Sequence, residues 1–129
     1  MHDNAGIESR CLTLWSEVVS SLENRVTSVN RYVPEARSRI ACEHLSSEAV
    51  QIKHAAAGRS IVASLDLKGH TIQLNKFEGS NAKEQDLPLS MLADGELYVT
   101  DGRQLLADPI EVAKFLMSAL LNSGAVVTA

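Results

Sequence analysis

Apolar residues recur early in the chain at Ile7, Cys11, Trp15, Val18, Leu22, Val26 and Val29, while Glu17, Ser21, Glu23 and Ser28 fall between them. A step averaging about 3.6 gathers such a set on one face of an α-helix. The spacing predicts a long amphipathic helix from Ile7 to near Arg31. It points to packing on a sheet, since a coiled coil needs a stricter 3.5-residue step. Pro34 ends the helix, because proline has no amide hydrogen and pushes the preceding Val33 out of helical geometry. Met1 to Gly6 precede the pattern and are expected to form a frayed tail.

Between Arg37 and Phe77 the period changes to two. Lys68-Gly69 suits a hairpin turn that pairs Leu67 with His70, Leu65 with Ile72, Ala63 with Leu74 and Ile61 with Lys76 on one face. Asp66, Thr71, Ser64, Gln73 and Asn75 then share the other face, with Val62 as the exception; a slip of one residue would mix the two sets. A turn at Ala57-Gly58 places Ile52 opposite Ala63 and Val50 opposite Leu65. A loop at Leu45-Ser46-Ser47 sets Cys42 against Val50 and Ile40 against Ile52. Four antiparallel strands with one apolar and one polar face call for a helical cover on the apolar side.

A polar loop is expected at Glu78 to Asp86, followed by shorter strands at Leu87 to Ala93, Glu96 to Thr100 and Arg103 to Leu106, joined at Asp94-Gly95 and Asp101-Gly102. In this register Leu92, Leu97 and Leu106 lie on one face and Met91, Tyr98 and Leu105 on the other, so this half is expected to be buried on both sides. Asp108 is a natural N-cap for a final helix, Pro109 fits its first position, Glu111 completes a capping-box spacing, and Gly124 lies just past the last periodic residue. Its polar residues Glu111, Lys114, Ser118 and Asn122 form a narrow stripe, and nearly everything else on it is apolar. A helix of that kind is surrounded by protein.

The pattern therefore predicts one α+β domain over residues 1–129, with an antiparallel meander of about five to seven strands and N- and C-terminal helices packed on one face. One copy has too little material to cover both this helix and both faces of the preceding strands, so a homodimer is expected. Phe115, Val112, Ala119, Met91, Tyr98 and Leu105 are its candidate interface residues.

With 45% hydrophobic and 22% charged residues the chain is too apolar for disorder, and it contains no uncharged run long enough for a membrane span. No apolar stretch follows Met1 as in an export signal, so a cytoplasmic location is expected. Cys11 and Cys42 have no CxxC spacing and are expected to be free, mostly buried thiols in a reducing compartment. A net charge of -4 and only 4% aromatic residues argue against nucleic acid, and Arg25, Arg31, Arg37 and Arg39 read as a solvated helix end and strand start.

The familiar catalytic and nucleotide-binding fingerprints are missing from the sequence, and no catalytic residue, cofactor or metal centre is assigned. His2 falls in the tail. With strands about 4.8 Å apart, His44, Glu48, Leu67 and His70 form one row across the covered face. His44 and Glu48 are then direct neighbours, and His70 stands about 10 Å beyond Glu48, too far to share a metal. His54 belongs to the opposite rim, beside Ile61 and two strands from Lys76. A carboxylate that orients an imidazole makes His44 and Glu48 the candidate binding residues, against the simpler reading of a solvated hairpin end. Cys42, among apolar neighbours, is expected to be inert, because burial raises a thiol pKa. Trp15, Met91, Phe115 and Met117 sit at core spacings, and the polar loop is either a lid or an ordinary connection.

Function is not specified by these features. They favour a non-catalytic, self-associating interaction module, with a further protein partner possible. The alternative is a small-molecule-binding protein or enzyme with a pocket between the sheet and the N-terminal helix. A secretion-chaperone-like cargo binder fits the size, acidity and layout by analogy alone.

Overall fold

The computed structural model describes residues 4–91, 96–103, 105–106 and 108–121. Helix α1 spans Asn4–Asn30. It starts three residues before the expected Ile7, so Asn4, Ala5 and Gly6 are helical and not tail; Met1 to Asp3, His2 among them, lie outside the described residues. At its end Val33 N donates to Asn30 O at 3.1 Å, a tightened last turn before Pro34. Asn30 then ties the helix to the sheet: its Nδ2 donates to Ile40 O at 2.8 Å and its Oδ1 accepts from Ile40 N at 2.9 Å.

Seven strands follow in a sequential antiparallel meander: β1 Ala41–Ser46, β2 Ala49–His54, β3 Arg59–Asp66, β4 Thr71–Glu78, β5 Asn81–Met91, β6 Leu97–Thr100 and β7 Leu105–Leu106. Short 3-10 turns occupy Ala36–Ser38 and Ala55–Ala57, and helix α2 spans Pro109–Leu121. Between β3 and β4 the register is the expected one, with Ile61 opposite Lys76, Ala63 opposite Leu74 and Leu65 opposite Ile72. At that turn Asp66 Oδ1 accepts from Gly69 N at 3.1 Å, and a Cβ on Gly69 would stand 2.5 Å from Asp66 Oδ2.

The neighbouring registers differ from expectation by two residues. Val50 faces Ala63 and Ile52 faces Ile61, because the connection coils through Ala55–Ala57 and closes at Gly58, whose φ of 68° is left-handed. Cys42 faces Ile52 and His44 faces Val50, because the first hairpin tightens to Ser47-Glu48 and bulges between His44 and Ser46. A slip of two keeps every side chain on its own face, so the apolar sorting survives.

The expected polar loop is instead a hairpin. Glu78 pairs with Asn81 across Gly79-Ser80, and β5 runs unbroken to Met91. Its first half, Asn81 to Asp86, is polar apart from Ala82 and mostly exposed, which leaves no period-two signal to read. The last strands are covered on one side only. Leu89, Val99 and Leu106 are buried in one row, whereas Met91 pairs with Leu97, Ser90 with Tyr98 and Thr100 with Leu105. Met91 therefore shares a face with Leu97, not with Tyr98. Leu92, Asp94 and Gly95 lie outside the described residues.

Helix α2 begins as its sequence dictates, with Asp108 Oδ1 accepting from Glu111 N at 3.0 Å. At the other end Arg59 Nη1 donates to Leu121 O at 3.1 Å, a cation on the negative helix terminus. Asn122 and Gly124 lie outside the described residues. Val112, Ala113, Leu116, Met117 and Leu120 are buried, and α2 packs on α1 and on β2, β3 and β7. Both helices thus share the apolar face of the sheet, and one copy of the chain hides most of the arc of α2 that had called for a second. No helix among the described residues is long and apolar enough to cross a membrane.

Leu22 is fully buried in this core. Leu22→Ala is expected to lose about 2–5 kcal/mol of stability, whereas Gln73→Ala on the outer face stays within about 0.5 kcal/mol. Urea unfolding of the two variants measures both.

Candidate functional site

On α1, Leu12, Ser16, Ser20 and Glu23 follow one another at steps of three and four and line the flank beside the first hairpin, with Trp15 and Val19 beneath them. Trp15 Nε1 donates to Ser47 O at 3.3 Å and straps the helix to the hairpin turn. Between these two walls lies an open groove of about 340 Å³, whose strand side is formed by His44, Ser46, Ser47 and Ala49.

His44 Nε2 donates to Glu23 Oε2 at 2.8 Å, since an ionised carboxylate can only accept. The two side chains are 54% and 47% exposed, so the pair contributes about 0–1 kcal/mol and is readily exchanged for another partner. The carboxylate partner of His44 is therefore Glu23 and not the expected Glu48. Glu48 sits in the hairpin turn, where its N–H donates to Ser46 Oγ at 3.2 Å and its carbonyl accepts from Leu65 N at 2.8 Å. It does not line the groove.

The expected row of His44, Glu48, Leu67 and His70 does not form, because the register slip puts Val50 opposite His44. His70 closes the β3–β4 turn at φ 49° and accepts from Leu89 N through its carbonyl. His54 faces Arg59 and not Ile61, and its Nδ1 is buried without a hydrogen-bond partner. No group of three metal-ligating side chains occurs among the described residues.

Both cysteines are free. Burial, and secondarily Glu23, pushes the Cys42 thiol above its ordinary value; burial and then Glu8 does the same to Cys11. A raised thiol pKa leaves little thiolate, so neither is primed as a nucleophile. Ser16, Ser20, Ser46 and Ser47 line the groove, but the hydrogen bond of the His44 ring goes to Glu23. Elsewhere Lys76 and Lys83 stand directly opposite each other. Burial first, then Lys83, holds the Lys76 ammonium below its ordinary 10.5.

Of the six interface candidates, Val112 has no surface to offer, being fully buried in the chain's own core. Phe115, Ala119 and Tyr98 are half-buried. Met91 and Leu105 are exposed, as are Ile110 and Leu121, whose exposure the sequence pattern did not single out.

Two measurements check these electrostatics. Glu23→Gln removes one cause of the raised Cys42 pKa and is expected to speed its alkylation by iodoacetamide at pH 8 about twofold, leaving Cys11 unchanged. For Lys76 the folded value lies below the unfolded one, so the unfolded chain holds more protons in the window ending at 10.5, and stability rises with pH through it. Lys76→Met abolishes that rise and adds a few tenths to about 1 kcal/mol at pH 7, read from urea unfolding at pH 7 and pH 10. Compared with known proteins, the chain matches no family model, no curated protein and no solved structure.

Proposed function

We propose that this chain is a non-catalytic binding protein of the cytoplasm that holds a small polar ligand in the groove between α1 and the β1–β2 hairpin. The observation that carries the reading is the His44–Glu23 pair, set beside an apolar floor of Leu12, Trp15, Val19 and Ala49 with hydroxyls around it. A few converging polar groups over apolar walls are the usual composition of a ligand site, and the groove volume falls within the range of such sites, roughly 300–1,000 Å³. The bulge between His44 and Ser46 supports it too, since bulges re-aim side chains beside binding sites. Free thiols at Cys11 and Cys42 favour a reducing compartment.

A second reading, self-association as a homodimer with room for another protein partner, is favoured by one specific observation. Met91 and Leu105 on the last strands and Ile110 and Leu121 on α2 keep about two-fifths to one-half of their surface exposed. Phe115, Ala119 and Tyr98 are half-buried, and Tyr98 shares the face of Leu105 while Met91 lies on the opposite one.

A fragment screen by nitrogen–proton NMR tests the first reading. Polar fragments are expected to shift the Trp15 indole and His44 signals; hits that leave both unmoved overturn it. Light scattering at micromolar concentration tests the second: a dimer converted towards monomer by Leu105→Glu is expected, and a monomeric wild type ends that reading.

A further inference from the structure

Resting on the groove reading, we infer that its ligand is a small molecule with a primary ammonium group on a short apolar chain, and that the ammonium takes the place of the His44 imidazole on Glu23. Among the described residues the walls carry one carboxylate, Glu23, and no lysine or arginine. An anionic ligand would meet Glu23 with no lysine or arginine on the walls to compensate, whereas a cation finds its counter-charge. The His44 ring offers Glu23 one N–H, that of Nε2. An ammonium offers a full charge and three donors, one for the carboxylate and two for the hydroxyls of the groove, and charge-assisted bonds of that kind are the strong ones.

Glu23 is already engaged, but by a contact suited to exchange. Both partners are about half exposed, so releasing His44 to water uncovers no buried charge. Below the pair, Leu12, Trp15 and Val19 give an apolar chain somewhere to lie. A volume of about 340 Å³ sits at the small end for ligand sites, which limits that chain to a short one and favours a free small molecule over a folded partner.

Three molecules of one shape separate the possibilities: hexylamine, 1-hexanol and hexanoate, titrated into the full chain at pH 8 and low salt, with the Trp15 indole signal as readout. Hexylamine is expected to bind about tenfold more tightly than the other two. In Glu23→Gln that preference falls to about twofold or less while 1-hexanol binding persists, and His44→Ala, freed of the competing imidazole, binds hexylamine several-fold more tightly. If 1-hexanol or hexanoate binds as well as hexylamine, or if Glu23→Gln keeps the preference, the ammonium assignment is overturned and the groove reading stands. If none of the three moves the Trp15 signal and no lysine-containing extended peptide moves it either, the groove reading falls with it. A lysine-containing extended peptide that binds where hexylamine does not overturns the small-molecule assignment.

Discussion

The rest of the molecule depends on burying the apolar face of the meander. Val50, Ile52, Ile61, Ala63, Leu65, Ile72, Leu74 and Leu87 come from four strands and line one side of the sheet, where α1 and α2 cover them. A sheet with such a face is unstable in water until something apolar lies on it, and each large side chain withdrawn from solvent contributes roughly 1.5–3 kcal/mol. Two helices side by side provide that cover. Asn30, bonded twice to Ile40, and Trp15, bonded to Ser47, hold α1 at two points along the first strands.

The groove is a consequence of that cover. A straight helix and a twisted sheet diverge at their margins, and here the margin is the first hairpin. Over its middle α1 buries Cys11, Trp15, Val18 and Leu22; on the flank turned to the hairpin its residues become serine and glutamate. The bulge at His44 and Ser46 interrupts the ladder at the same place. The helix supplies the carboxylate and the strand the imidazole, so neither element alone contains the pair.

The same packing changes how α2 is understood. Viewed as a string of residues it is apolar over most of its circumference, which argues for a second chain. In the fold, α1 lies against it and the sheet lies beneath, so Val112 and Leu116 vanish into the monomer's own core while Ile110 and Leu121 remain at the surface. The apolar surface that α2 leaves exposed is therefore smaller than the helix as a whole and lies at its ends.

Local chemistry determined much of this protein. The period-two run assigned the covered face, the β3–β4 register followed from one turn, and Asp108 and Pro109 placed the start of α2, because each depends on residues close together in the chain. Faces survived even where registers slipped, since the slips at Ala55–Ala57 and Ser47-Glu48 moved strands by two. What periodicity could not reach was the strand hidden in the polar run after Gly79, which has no apolar side, and the partner of His44. Glu23 is 21 residues away along the chain and meets His44 only because α1 lies across the hairpin, a contact set by tertiary packing and not by any local spacing.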